Sequence, residues 1–512
     1  MIAKQMGKRA ALQRFPKVAT VVRHKLRKKA NKSTSGVLVV TVVLAPSKFS
    51  CANDCAYCPA QPGTARSYLD NEPAVARGKQ HQYDAAAQVH SRLNTLHENG
   101  HTVQKIEIIV LGGTFSDYPR SYQEEFLRDV YYAANTFPKS LRPKLSLIEE
   151  QHVNEQSLYR VVGVSLETRP DRITHHECMR FRRLGCTRVQ VGVQHTDDNI
   201  LQNVNRGHTV SRSVEAIAML RNYGFKIDLH VMPDLPGATP EDDKAMLETV
   251  LTSGDFSPDY LKIYPCLDVE YTKIRVWKQN GTWQPYAERN GGNDILDVCL
   301  HAKKHSQYHT RFNRIQRDFC VEKDGVEGYK SDTIAPNFRQ LLLQRAQANG
   351  IECKCIRCCE PRSDALKSCR VFVDTYKAGE GHERFICLAS KDRRTIYGFV
   401  RLRTSSHCFK KWAMIRELHV YGNIADIGQR DNEYIQHRGI GKLLMAIAEL
   451  YAFACGYWKI GVISGVGVRG YYRTLGYTYT IDGHYMTRTL NPLLSFARLI
   501  VCIFRLAKYF FT

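Results

Sequence analysis

The chain has 512 residues, with 73 Lys and Arg against 50 Asp and Glu, a formal charge of +23. That is room for about three domains of ~150 residues, and 43% hydrophobic residues exclude both a disordered polymer and a polytopic membrane protein. Twelve of the basic residues lie within residues 1–50, which hold no acid; the first carboxylate is Asp54. Residues 1–35 therefore read as a basic arm suited to a polyanion, nucleic acid before anionic lipid. An organelle transit peptide shares this composition, but Pro16 and Lys28-Lys29 suit a nucleic-acid arm better. No apolar h-region opens the chain, so a cytoplasmic, reducing location is expected, and clustered cysteines there point to metal rather than disulfide.

Taken in order, residues 36–45 read as a buried strand rich in β-branched side chains. Strands at 104–111, 161–168, 188–193, 225–231 and 260–264 then alternate with helices at 84–99, 122–135, 176–184, 214–223 and 241–251. Such alternation builds a parallel sheet wrapped by helices, a barrel or partial barrel spanning 36–350. A helical stretch is expected over 294–350, followed by a Cys-rich linker at 351–370. From 371 to 490 the pattern changes to antiparallel strands at 371–373, 384–388 and 396–403. A strand at 415–421, a helix at 439–454 and a strand at 459–464 complete an α+β domain. Residues 491–512 form an apolar, basic tail.

Seven of the 17 cysteines fall in two tight groups. Cys51, Cys55 and Cys58 are spaced C-x3-C-x2-C directly after the first strand, with Tyr57 before the third cysteine. Three thiolates on one loop can hold three irons of a 4Fe–4S cluster and leave the fourth open. Active sites of such folds gather at the ends of the strands, and there this spacing marks radical S-adenosylmethionine (SAM) enzymes. A structural zinc loop is the alternative, but no fourth N or S ligand stands nearby at matched spacing. Gly112-Gly113 ends the next strand, where glycines let backbone approach a bound ligand.

In the C-terminal part, Gln436-His-Arg-Gly439-Ile-Gly441 precedes an apolar helix. Its amides can cradle a pyrophosphate at the helix N-terminus, and the loop resembles the acetyl-CoA loop of GNAT acyltransferases. A Tyr after the second core strand can protonate a departing thiolate. Tyr471 and Tyr472 are both candidates, and both could instead be core aromatics, a reading that suits Tyr471 better.

A radical SAM barrel joined to a GNAT-like domain resembles the family of Elongator catalytic subunits. The resemblance covers about 33–490. It runs through Gly112-Gly-Thr-Phe115, Glu167-Thr-Arg-Pro-Asp171, Val191-Gly-Val-Gln194, Asn205-Arg-Gly-His-Thr209, Arg416-Glu-Leu-His-Val-Tyr-Gly422 and Ile463-Ser-Gly-Val-Gly467. It implies a radical SAM partial (βα)6 barrel followed by a GNAT-like α+β domain, acting on the wobble uridine of tRNA. In that family the cluster cleaves SAM to a 5′-deoxyadenosyl radical, which takes a hydrogen from the acetyl group of acetyl-CoA. The carbon radical adds to C5 of the uridine, and thioester hydrolysis leaves a carboxymethyl group.

By position, the resemblance gives the cluster to Cys51, Cys55 and Cys58, and SAM to Gly112, Gly113, Glu167 and Gln194. Acetyl-CoA falls to Lys105, Glu417-Leu418-His419-Val420, Ile440-Gly441-Lys442 and Tyr472, with Lys105 and Tyr472 as catalytic residues. On composition alone Lys105 is a solvated strand-edge charge, and Glu167 could equally pair with Arg169. Two departures stand out. Three residues separate the first cysteine from the second, as in most radical SAM enzymes, rather than four or more. Pro59-Ala-Gln-Pro62 replaces a Pro-Gly-Gly-Pro run. Cys353, Cys355 and Cys358 resemble the inter-domain zinc motif of bacterial and archaeal members. Cys359, Cys369, Cys387 and Cys408 are open as a fourth ligand, and reduced free thiols are the alternative.

The tail has its polar residues Ser495, Arg498, Cys502, Arg505 and Lys508 on one narrow helical stripe. Two arginines disfavour a spanning helix, so an interfacial membrane helix or atypical tail anchor competes with a helix packed on this protein or a partner. Expected partners are tRNA and other Elongator-type subunits or a second copy. The competing functions are a protein lysine acetyltransferase that keeps the barrel as scaffold and a non-catalytic tRNA-binding subunit.

Overall fold

The computed structural model describes residues 36–49, 51–138, 141–316, 337–361, 366, 368–422, 439–480 and 484–510. The basic arm expected at 1–35 and Gln436-His437-Arg438 of the predicted acetyl-CoA loop lie outside the described residues. Seven parallel strands form the first sheet in the order β1 to β7: Leu38–Val43, Lys105–Leu111, Arg160–Thr168, Arg188–Gln194, Lys226–Val231, Tyr260–Ile263 and Arg311–Ile315. Helices connect successive strands, so the sheet holds six βα units closed by one further strand.

The sequence shows why these segments take these forms. β2 alternates Lys105, Glu107, Ile109 and Leu111 with fully buried Ile106, Ile108 and Val110, the period-2 pattern of a strand with two different faces. Four of the returning helices start on side-chain caps: Asp84 accepts from Ala87 N, Thr174 from Glu177 N, Thr209 from Arg212 N and Thr239 from Asp242 N.

The helix expected across 294–350 is corrected. Its described part is a helix Asn293–Lys304, the strand β7 and a helix Phe338–Ala348. β7 is only five residues long, and its period-2 signal is lost between helical neighbours. Tertiary partners define it: Phe312 and Ile315 are buried, Arg311 pairs with Glu360 at 2.7 Å and Asn313 donates to Asp228 at 2.9 Å.

The second sheet contains β8 (Cys369–Ala378), β9 (Gly381–Ser390), β10 (Ile396–Thr404), β11 (Ala413–Val420), β12 (Lys459–Val462), β13 (Thr478–Tyr479) and β14 (Met486–Thr489), in the order β13-β14-β12-β11-β10-β9-β8. β11 pairs with β10 along its length but with β12 only over Ala413–Ile415. The two parallel strands part beyond that point, where helix Ile440–Ala454 begins. The tail is helical over Pro492–Phe510 and packs on that helix. Ser495 Oγ donates to buried Glu449 at 2.6 Å and Arg498 at 3.1 Å, and Cys502 is buried, so this part of the polar stripe turns inward while Arg505 stays exposed. Leu493 and Phe504 point outward, 79% and 76% exposed. No helix among the described residues is long and apolar enough to cross a membrane.

Barrel and second sheet meet through a fully buried charge cluster. Asp259, ahead of β6, accepts from Arg416 Nη2 at 2.6 Å and Nη1 at 2.8 Å, and lies 3.3 Å from Arg401 Nη1. Arg416 Nε also reaches Glu383 at 2.9 Å, Arg403 approaches Glu383 at 3.4 Å, and Arg401 Nε donates to Glu417 at 2.9 Å. Three guanidinium groups thus face three carboxylates. Burial alone raises the pKa of Asp259, but Arg416 and Arg401 outweigh it and hold the carboxyl below its ordinary range. Asp259→Asn strands these arginines and is expected to cost about 3–5 kcal/mol, read as a lower urea midpoint at pH 7. Because the native pKa is depressed, this contribution is complete above the unfolded value of ~3.9 and fades as pH falls below it. The gap between parent and variant should therefore close on acidification.

Candidate active site

The loop after β1 carries the first cysteine group to the C-terminal end of the barrel. Cys55 is buried, with Arg169 Nη1 at 3.6 Å and Arg206 Nη1 at 3.7 Å from its sulfur. Arg169 is itself held by Asp171 at 2.8 Å and by the Arg206 carbonyl at 2.6 Å. Burial opposes ionisation of Cys55, but the Arg206 and Arg169 guanidinium groups overcome it and lower its pKa. Cys58 shares a 3.1 Å hydrogen bond with Ser67, while burial raises its pKa. The sulfurs of Cys51, Cys55 and Cys58 are not gathered within 4.8 Å of one another, whereas those of Cys353, Cys355 and Cys358 are. The wider spread suits a 4Fe–4S cluster, in which each thiolate takes a different iron. Two buried guanidinium groups offset the negative charge that such a cluster carries, so the residues present fit it.

Four predicted SAM residues lie around this loop or at the strand ends. Gly112 and Gly113 follow β2 at φ +145° and +87°. A Cβ on Gly112 would meet Tyr118 Oη at 2.8 Å, and one on Gly113 would meet the Arg66 carbonyl of the cysteine loop at 3.3 Å. Glu167 accepts from Tyr68 Oη at 2.7 Å, while Arg169 spends its guanidinium on Asp171, Cys55 and the Arg206 carbonyl. Gln194 ends β4 at φ +73°, and its buried Oε1 has no hydrogen-bond partner, an acceptor that a bound ligand would satisfy.

Between the barrel's two ends runs a polar interior, unlike the packed aliphatic layers of a closed βα barrel. Arg188 pairs with Glu107 at 3.2 Å and lies over the Tyr260 ring at 4.9 Å. Gln190 donates to Ser165 at 2.9 Å and accepts from Lys262 Nζ. Burial lowers the pKa of Lys262 to about 8. At the N-terminal end of the barrel Tyr260 Oη donates to Glu417 of β11, which Arg401 holds from its other side. Burial raises the pKa of Glu417, but Arg401 outweighs it and the net shift is downward. Lys105 shares its strand face with Glu107, whose charge feels Glu417 and His419. Lys105 is half-buried, and that burial lowers its pKa.

The other predicted acetyl-CoA residues gather where β11 and β12 part. A Cβ on Gly398 would touch both the His419 carbonyl at 3.0 Å and Ile440 Cγ2 at 3.2 Å. One on Gly441 would lie 3.7 Å from Val420 Cγ2 and 2.8 Å from Tyr471 Oη. Leu418 is half-buried against the domain core, and Lys442 is exposed beside Cys502 of the tail. Tyr472 is buried near Glu417, with its pKa raised by burial. Tyr471, read from sequence as a core aromatic, has a buried hydroxyl without a partner aimed at the loop.

Lys303 Nζ stands 3.5 Å from Cys353 Sγ and 3.6 Å from Cys358 Sγ. A tetrahedral zinc with bonds of about 2.3 Å separates its sulfurs by about 3.8 Å, so this group fits one ion. Cys359, Cys369, Cys387 and Cys408 do not join it within 4.8 Å. The sequence offered Arg169 only as a partner for Glu167 and assigned no role to Arg206, Ser67, Tyr260 or Lys262. For the two arginines the signal was present, since they lie in the Glu167–Asp171 and Asn205–Thr209 segments. Tyr260 and Lys262 act through partners distant in sequence, whereas Ser67 lies only nine residues from Cys58.

Residues 49–250 match the Radical SAM superfamily. The chain is 36% identical over 478 residues to tRNA uridine(34) acetyltransferase of Dehalococcoides mccartyi, covering 91% of this chain and all of that one. It is 32% identical over 501 residues to Elongator complex protein 3 of Homo sapiens, covering 93% and 88% of the two chains. The solved structure of archaeal Elp3 from Methanocaldococcus infernus, with residues 1–46 deleted, superposes with a TM-score of 0.74 at 32% identity, covering 90% of this chain and all of that one. Similarity along nearly the whole chain, through both sheets, makes this protein a member of the radical SAM family that comprises Elongator complex protein 3 and the tRNA uridine(34) acetyltransferases.

Proposed function

We propose that the chain carboxymethylates C5 of the wobble uridine in tRNA, drawing the carbon from acetyl-CoA. The observation that carries this reading is the polar barrel interior. It connects the cysteine loop at one end with Glu417 and Lys105 at the other, which an ordinary lysine acetyltransferase does not require. Cys51, Cys55 and Cys58 hold the cluster, and Gly112, Gly113, Glu167 and Gln194 hold SAM. When bound, cluster and SAM supply the one-electron chemistry for hydrogen abstraction. Lys105, β11 over Glu417–Val420, Ile440-Gly441-Lys442 and Tyr472 hold the acetyl donor. The depressed pKa of Lys105 suits a group that hydrogen-bonds a thioester oxygen and exchanges a proton. Tyr472, kept neutral by burial, is the proton donor toward the thiolate. Cys353, Cys355 and Cys358 bind a zinc ion that braces the segment between the two sheets.

Anaerobic reconstitution with iron and sulfide, followed by SAM, acetyl-CoA and tRNA, should yield 5′-deoxyadenosine and carboxymethyluridine by mass spectrometry. Cys55→Ala should reduce both to background; Lys105→Ala should lower the nucleoside product at least tenfold with the cluster's absorbance intact. A chain that acetylates a lysine peptide but gives neither product sinks this reading in favour of a protein acetyltransferase.

The basic arm binds the phosphates of the tRNA. Deleting residues 1–30 removes ten Lys and Arg. tRNA binding should weaken, and the slope of log K against log salt should flatten by about 0.7–0.9 for each phosphate that the arm neutralises.

The C-terminal helix docks on anionic lipid. With Ser495, Arg498 and Cys502 turned inward, Leu493, Phe504 and other apolar side chains face outward beside exposed Arg505, with Trp458 beside the helix start 69% exposed and no acid from 491 to 512. The full chain should co-sediment with phosphatidylserine-containing vesicles and lose at least half of that binding in Leu493→Glu/Phe504→Glu. A parent that stays in the supernatant, or that binds a partner subunit through this face instead, overturns the lipid assignment.

A further inference from the structure

On the outer side of the barrel, two helices bring three metal-binding side chains together, a group separate from both cysteine clusters. Helix Asn293–Lys304 carries His301 and ends on His305, four residues apart and so on one face, with ring centroids 4.1 Å apart. Helix Pro240–Thr252, packed against it in the same core, contributes Glu248. His301 Nε2 lies 3.0 Å and His305 Nε2 3.8 Å from the same oxygen, Glu248 Oε2, and all three ligand atoms fall within 4.8 Å of one another.

We infer that Glu248, His301 and His305 form a second metal site, for a divalent transition ion of the zinc or copper class. Two imidazole nitrogens and one carboxylate oxygen make a borderline donor set that selects such ions over calcium or magnesium. One ring is already oriented for the task. His305 Nδ1 donates to the His301 carbonyl at 3.1 Å, which fixes the tautomer and leaves the Nε2 lone pair facing Glu248. The site is half-exposed, so water completes the coordination shell. Burial also lowers the pKa of His301, favouring the neutral ring that a metal needs. Lys244, one turn before Glu248, lies close enough to His301 to be felt electrostatically, but its ammonium is directed at Glu241, 3.5 Å away.

The site has a structural role that follows from its place. Lys303, between the two histidines, reaches Cys353 and Cys358. An ion held by Glu248, His301 and His305 would therefore pin this helix to the barrel next to the inter-sheet cysteine group. Each of the three side chains is at least partly exposed, so their substitution spares the core.

The test uses the full chain with its cluster reconstituted and its cysteine group loaded with zinc. Adding Cu2+ should give one further bound equivalent with a paramagnetic spectrum split by nitrogen, and adding Zn2+ should raise the Tm. His301→Gln/His305→Gln should lose that equivalent, the nitrogen splitting and the Zn2+-dependent rise, and Glu248→Gln should weaken binding at least tenfold. Both variants should keep the parent's iron content and cysteine-bound zinc. Equal copper content and an unchanged spectrum in the double variant would show that the three side chains make hydrogen bonds only, and would overturn the assignment.

Discussion

Asp259 sits at the N-terminal end of β6 and receives guanidinium groups from β10 and β11, two strands of a different sheet. A buried carboxylate in that position is tolerable only with both arginines present, so the second sheet is fastened to one end of the barrel and in one register. That fastening puts Glu417 within reach of Tyr260, and through Glu107 into the neighbourhood of Lys105. The polar interior of the barrel follows from the same constraint. Its lower layer of Glu107, Arg188 and Tyr260 is balanced partly by residues that belong to β11 and β10. The cysteine loop at the opposite end depends on an analogous arrangement, in which Arg169 and Arg206 offset thiolate charge.

Much of this was legible in the amino-acid sequence. The βα alternation, the C-x3-C-x2-C spacing and the change of pattern after residue 350 are local signals, written in runs of a few residues. β7 was not legible, because five residues whose partners are Glu360 and Asp228 carry no local signature. Cys353, Cys355 and Cys358 announced themselves by spacing, whereas the question of a fourth ligand among Cys359, Cys369, Cys387 and Cys408 depends on distances between strands. Tyr471 and Tyr472 illustrate the same limit. Adjacent aromatic residues on a short helix look alike in sequence, and only packing sends one hydroxyl toward Gly441 and the other ring toward Glu417. Arg169 and Arg206 were visible as parts of motifs, but their approach to Cys55 crosses more than 100 residues of chain.

The tail teaches a different lesson about amphipathic patterns. Periodicity correctly placed Ser495, Arg498 and Cys502 on one stripe, and the ordinary expectation is that such a stripe faces water. Here it faces the protein, because Glu449, buried on helix Ile440–Ala454, already collects hydrogen bonds from Tyr477 and Arg488 and accepts from Ser495 and Arg498 as well. A buried carboxylate is costly to leave underpaired, and pairing it is what turns the helix over. The moment of a helix gives an axis; the sign comes from the surface beneath.

β2 also acts as a ruler. Lys105 opens it and Gly112 follows its last residue, so seven residues of extended chain separate them by about 23 Å at about 3.3 Å per residue. With the sheets locked together through Asp259, no hinge between them can shorten that span. A group delivered from the second sheet to the cysteine end must therefore travel on a carrier long enough to thread the barrel. Under the proposed function the protein would fix the distance and the acyl donor would provide the reach, so shortened acyl carriers would be excluded by length before any contact discriminates against them.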